Sequence, residues 1–131
     1  YEIEDLQVKS AALFFHGGMH ASRGATQIAQ RNNFDLENHR STKIDPQLFN
    51  WADTVFAMTF DHVAHLETFY NGNCVDKVEL LGRYASSYDP NDANTSPEVI
   101  DPSGSTAISY PECFTQIKDS LENWLKEKKY I

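Results

Sequence analysis

The chain has 131 residues, 40% hydrophobic and 12% aromatic, which suffices for one packed core and excludes wholesale disorder. Its formal net charge of −8, from 19 acidic and 11 basic residues, excludes a broad nucleic-acid-binding face and leaves room only for a local cationic pocket. No apolar run reaches membrane-spanning length, and two cysteines are too few for a disulfide scaffold, so reduced thiols in a cytoplasmic protein are expected.

In chain order, Leu6, Val8 and the run Ala11-Ala12-Leu13-Phe14-Phe15 predict a first buried strand over 6–15, ended by Gly17-Gly18. Ser22 can cap a helix whose inner stripe is Ala25, Ile28 and Ala29, closed by Asn32-Asn33. Asp45-Pro46 is a helix start, with Leu48, Phe49 and Ala52 facing inward. Thr54–Met58 predicts a second strand. Thr59 or Asp61 caps the next helix, with Val63, Leu66 and Tyr70 inside and Asn71-Gly72-Asn73 as its closing turn. Lys77–Leu81 predicts a third strand, ended by Gly82. Residues 84–109 carry Pro90, Pro97 and Pro102 among Ser, Asn, Asp and Gly and read as a long loop, of a length that is usually functional or mobile. Pro111 opens the last helix, with Phe114, Ile117, Leu121, Trp124 and Leu125 at helical spacing.

Short buried strands alternating with amphipathic helices predict an α/β fold, a small parallel sheet with helices on both faces in a single domain. Ligand sites in such sheets lie at the carboxyl ends of the strands, here near Phe15–Gly17, Met58-Thr59 and the loop after Gly82.

Several stretches, in order over about residues 7–127, resemble the low-molecular-weight protein-tyrosine phosphatase family. They are Lys9-Ser10-Ala11-Ala12, the turn from Gly18 to Ala25, Asn38-His39-Arg40-Ser41, Ala52-Asp53 followed by Val55–Thr59, Lys77–Gly82, and Asp101-Pro102 followed by Tyr110. Met58-Thr59 followed by His62 is most similar to bacterial members, including the arginine-phosphatase type. The resemblance implies a phosphatase-I, flavodoxin-like fold. It also implies hydrolysis of phosphomonoesters on phosphoproteins through a cysteinyl-phosphate, with phosphotyrosine first and phosphoarginine as an alternative.

The family's strand, Cys-x5-Arg-Ser/Thr phosphate loop and helix have no counterpart here. Cys74 is followed six positions on by Leu80 and Cys113 by Asp119. The chain opens on Tyr1 with no signal-like segment, so an upstream unit is expected. In the family fold the missing strand lies between the segments at 6–15 and 54–58. Without it two rows of backbone groups stay unpaired, so the chain is expected to need its own N-terminal segment or a partner strand.

Such chemistry requires a thiolate of lowered pKa, a cradle of N–H groups with an Arg, and an acid for the leaving oxygen. Only the acid is expected within these residues. The resemblance assigns it to Asp101, whose backbone Pro102 restricts; Asp89-Pro90 is the rival, and Asp-Pro pairs are also ordinary turn formers. By the same resemblance Ser10 and His39 hydrogen-bond the phosphate loop from behind, although both residue types also serve plain structural roles. Phe15, His16 and Gly17 fall on the substrate-pocket wall. Ser103 and Gly104 fall where relatives carry aromatics, which implies a wider mouth.

No cofactor and no metal are expected, since His62/His65 and His16/His20 form no established ligand pattern. Arsenate reduction, a sister activity, needs a cysteine relay that the spacing of Cys74 and Cys113 does not suggest. The expected partners are a phosphorylated protein or small phosphomonoester, with no nucleic acid and no membrane. A catalytically inactive, phosphatase-like binding module is the competing reading.

Overall fold

A computed structural model describes residues 2–70, 76–103 and 108–131. The elements are α1 (Arg23–Arg31), α2 (Pro46–Trp51), β1 (Val55–Ala57), α3 (Phe60–Tyr70), β2 (Val78–Leu80), a 3-10 turn (Leu81–Tyr84) and α4 (Tyr110–Glu127). The Asn71-Gly72-Asn73 turn, Cys74 and Gly104 lie outside the described residues.

The helices begin where side chains can satisfy their first N–H groups. Ser22 accepts from the Ala25 N–H, Asp45 from the Leu48 N–H, and Ser109 from the Glu112 N–H. At α3 Thr59 is the capping residue, its hydroxyl accepting from the His62 N–H at 3.3 Å. Asn32 closes α1, with Asn33 following in the left-handed region at φ 65°.

β1 and β2 run parallel, with Val55 opposite Val78 and Ala57 opposite Leu80. The two faces of β1 meet different helices. Ala57 and Leu80 form a core with Phe49 of α2 and Leu66 of α3, onto which Leu13, Ile44, Val63 and Tyr70 pack. Phe56, on the opposite face, meets Trp124 of α4 edge-on at 5.2 Å and Tyr84 at 6.2 Å. Helices thus cover both faces of an α/β sheet.

The sheet is smaller than the sequence predicts. The segment 6–15 is not a strand; its one ladder-like contact is a parallel bridge between Ala12 and Lys43. The Ala12 N–H donates to the Thr42 carbonyl at 2.8 Å, and the Ala12 carbonyl accepts from the Ile44 N–H at 3.0 Å. An apolar run becomes a strand only as half of a ladder, and among the described residues no strand lies beside this one. Leu13 reaches the core, but Val8 is 83% exposed and Phe15 64%. The total exposed area is 9462 Å², against about 7,000 Å² for a compact monomer of this mass.

Two smaller expectations also change. The last strand stops at Leu80, and Gly82 sits inside the 3-10 turn. In α4 the buried stripe passes through Cys113, Ser120 and Trp124 and leaves Leu121 exposed. Ser120 is tolerated inside because its hydroxyl donates to the Gln116 carbonyl at 2.7 Å.

Candidate functional site

The long loop returns to the sheet just beyond the carboxyl end of β1. Val99 is 4% exposed, and its N–H donates to the Met58 carbonyl at 2.8 Å. Glu98, one residue earlier, accepts the Phe60 N–H at 2.9 Å through Oε1, and its carbonyl accepts from the Gln116 amide at 3.0 Å. Asp101 follows two residues after Val99, exposed, with Oδ1 accepting the Ser103 N–H at 2.8 Å. Its second carboxyl oxygen has no hydrogen-bond partner among the described residues. Burial, and after it the Asp101 charge, push the Cys113 thiol up. Asp101 therefore stands within electrostatic reach of the first turn of α4, and Cys113 is a poor nucleophile.

Asp89 is placed differently. Its Oδ1 accepts the Asn91 N–H at 2.9 Å, and Thr95 closes the turn through the Asp89 N–H and the Asp89 and Asp92 carbonyls. Among the described residues these bonds close the turn on itself and reach no strand. Asp89 is a turn former.

Ser10 and His39 come together. Both line an open cavity of about 690 Å³, together with Lys9, Arg40, Thr42 and Trp51. The Lys9 ammonium lies 4.3 Å from the Trp51 ring centroid. The Arg40 guanidinium donates to the carbonyls of Glu37 and His39 and so holds the turn that presents the imidazole. Neither the Ser10 hydroxyl nor the His39 imidazole has a hydrogen-bond partner among the described residues. Asp101 does not line this cavity, so the structure assembles two separate groups rather than one site.

Phe15, His16 and Gly17 lie on an exposed loop. Ser41 holds that loop from outside it. Its hydroxyl donates to the His16 carbonyl and accepts the Met19 N–H, both at 3.0 Å, while its own N–H donates to the Met19 carbonyl at 2.8 Å. Of the expected wall residues only Ser103 bonds to Asp101. Phe14, not singled out by the sequence, packs edge-on against His65 at 4.5 Å and tilted against His62 at 6.3 Å. Those histidines are aromatic contacts of α3, and no three His, Cys, Asp or Glu side chains converge among the described residues. Glu98 carries no signal in a single sequence, because it acts on partners distant along the chain; Ser41 belongs to a family-like stretch, but its contacts with His16 and Met19 do not show there.

The order of these segments along the fold finds its match in a known family. The sequence fits the family described as low molecular weight phosphotyrosine protein phosphatase over residues 1–130. The chain belongs to that family.

Solved structures of the phosphatase fold agree. A low molecular weight protein tyrosine phosphatase from T. tengcongensis superposes with a TM-score of 0.75 at 22% identity, over 91% of this chain and 76% of its own. The YwlE arginine phosphatase from Geobacillus stearothermophilus superposes with a TM-score of 0.80 at 22% identity, over 97% of this chain and 77% of its own. At these identities the likeness is one of fold. No curated protein sequence matches the chain. Membership places the protein in a family of protein phosphatases. No helix among the described residues is long and apolar enough to cross a membrane.

Proposed function

We propose that this single phosphatase domain hydrolyses phosphomonoesters on phosphoproteins, phosphotyrosine first, with Asp101 as the general acid. The observation that carries the reading is the Val99–Met58 hydrogen bond, which fixes the acid-bearing loop at the carboxyl end of β1. The cavity of Ser10 and His39 supports the second half of it: two polar groups without described partners, at the place where a phosphate loop would be held from behind.

A thiolate attacks phosphorus, the S–P bond forms, and the P–O bond to the leaving group breaks. Asp101 gives its proton to that oxygen. Water then attacks phosphorus, returns a proton to the Asp101 carboxylate, and breaks the S–P bond to release inorganic phosphate and the thiolate. The nucleophile these steps require is that of a Cys-x5-Arg loop, which the 131 residues do not carry and which Ser10 and His39 would seat. Phe15, His16, Gly17 and Ser103 wall the substrate. A cytoplasmic setting suits a chemistry that depends on a reduced thiol.

The test is turnover of phosphotyrosine and phosphoarginine, measured in parallel on the protein carrying a Cys-x5-Arg segment and on the bare 131 residues. The first should turn over phosphotyrosine and lose that activity on Asp101→Asn. The second should be inert, and a burst of phosphate from it would sink the mechanism. The absence of Cys-x5-Arg from these residues favours one other reading, an inactive phosphatase-like binding module. That reading prevails if no form of the protein turns over either substrate.

A further inference from the structure

We propose that Glu98 is the positioning residue for Asp101: by joining the acid-bearing loop to the first turn of α3, it sets where the Asp101 carboxyl stands at the carboxyl end of the sheet. The inference rests on the reading of Asp101 as the general acid.

The loop has to stop at one place to present an acid usefully, since a misplacement of about 1 Å at a reacting group can cost on the order of a hundredfold in rate. Pro102 narrows the Asp101 backbone, and the Ser103 N–H fixes one carboxyl oxygen, but both are local to the turn. They orient Asp101 within its loop and say nothing of where the loop lies. That information comes from residues 98 and 99. The Glu98 carboxylate accepts the Phe60 N–H at 2.9 Å, the Glu98 carbonyl accepts from Gln116 at 3.0 Å, and the Val99 N–H donates to Met58 at 2.8 Å. Two consecutive residues are thereby tied to α3, α4 and the end of β1.

Of these ties only the one made by the Glu98 side chain is charge-assisted. The Phe60 N–H belongs to the first turn of a helix, where no intrahelical carbonyl is available to it. A carboxylate on it gains from the positive end of the helix and from a charge-assisted bond. Between Glu98 and Asp101 lie Val99, which is 4% exposed and bonded to Met58, and Ile100, which is 39% exposed. Releasing Glu98 therefore leaves the stretch next to the acid held, among the described residues, only through backbone ties at residues 98 and 99.

Glu98→Ala removes the acceptor, and Glu98→Gln keeps an oxygen at the same place without the charge. In the 131-residue chain, amide exchange at Val99 and Ser103 should rise about tenfold in Glu98→Ala and stay within about twofold in Glu98→Gln. Faster exchange confined to Phe60 would overturn the proposal, because the loop would then be held without Glu98. In a form carrying a Cys-x5-Arg loop, kcat/KM for an alkyl phosphate should fall about tenfold in Glu98→Ala. The fall for nitrophenyl phosphate should be several-fold smaller, since that leaving group needs little protonation. A Glu98→Gln variant that is as slow as Glu98→Ala while amide exchange at Val99 and Ser103 stays at the wild-type rate would trace the effect to charge alone and overturn positioning.

Asp101→Asn is the control. If it spares the alkyl phosphate, the assignment of the acid fails. If it slows that substrate while Glu98→Ala does not, the acid stands and the role of Glu98 falls.

Discussion

The N–H of Val99 and the carbonyl of Met58 meet at 2.8 Å, and this bond ties to the sheet the loop of one of the two Asp-Pro pairs, the one that the family resemblance prefers. Asp101 lies two residues beyond Val99, which is stitched to the end of β1, whereas Asp89 sits in a turn closed by Thr95. In a form carrying a Cys-x5-Arg loop, Asp101→Asn should lower kcat/KM for alkyl phosphates by roughly 10²–10⁴, the usual contribution of a general acid. Asp89→Asn should leave it within about twofold. Equal losses from the two variants would mean that the acid has been assigned to the wrong pair.

The same loop leans on Gly82. A methyl group there would run into the backbone carbonyl of Pro97, which has no rotamer with which to move aside. Gly82→Ala should therefore destabilise the domain by about 1–3 kcal/mol, the range for overpacking a filled site. Urea unfolding followed by tryptophan fluorescence measures it, and an unchanged midpoint would show that the Pro97 backbone yields freely.

Lys77 secures the short helix α2 from the strand side. Its ammonium donates to the carbonyls of Phe49 and Ala52 and lies 4.1 Å from the Phe49 ring centroid, the ring that stacks on Tyr70. Lys77→Met fills the space but leaves those carbonyls without that donor, at a cost of about 1–3 kcal/mol. Thermal melts should show a lower midpoint; a variant that melts with the wild type would demote the contact to a surface one.

Tyr84 links stability to alkaline pH. Burial, then its hydrogen bond to Glu79 at 2.8 Å and the Glu79 charge, push the phenol from 10.0 up to about 12. Between those values the unfolded chain has released the proton and the folded chain still holds it. Stability is thus lost as pH rises through that window. The advantage of wild type over Tyr84→Phe in urea midpoint should shrink above pH 10. A difference that holds constant with pH would show that the phenol is not perturbed by folding.

Much of this protein is legible in its residues alone. Ser22, Asp45 and Ser109 cap helices because a side-chain oxygen beside the first turn needs no distant partner, and the β1 and β2 segments are recognisable from their apolar runs. The ordered set of short segments from Lys9-Ser10 to Asp101-Pro102 carries the family. Contacts decided the rest. Whether residues 6–15 form a strand depends on what lies beside them, and their own composition cannot supply a neighbour. Which Asp-Pro pair reaches the sheet depends on Val99 and Glu98 meeting Met58 and Phe60, residues 38 or more positions away. That Ser10 and His39 face one cavity while Asp101 stands apart from it is likewise a fact of packing. Local chemistry is written along the chain; the distance between two remote groups is set only when the core closes.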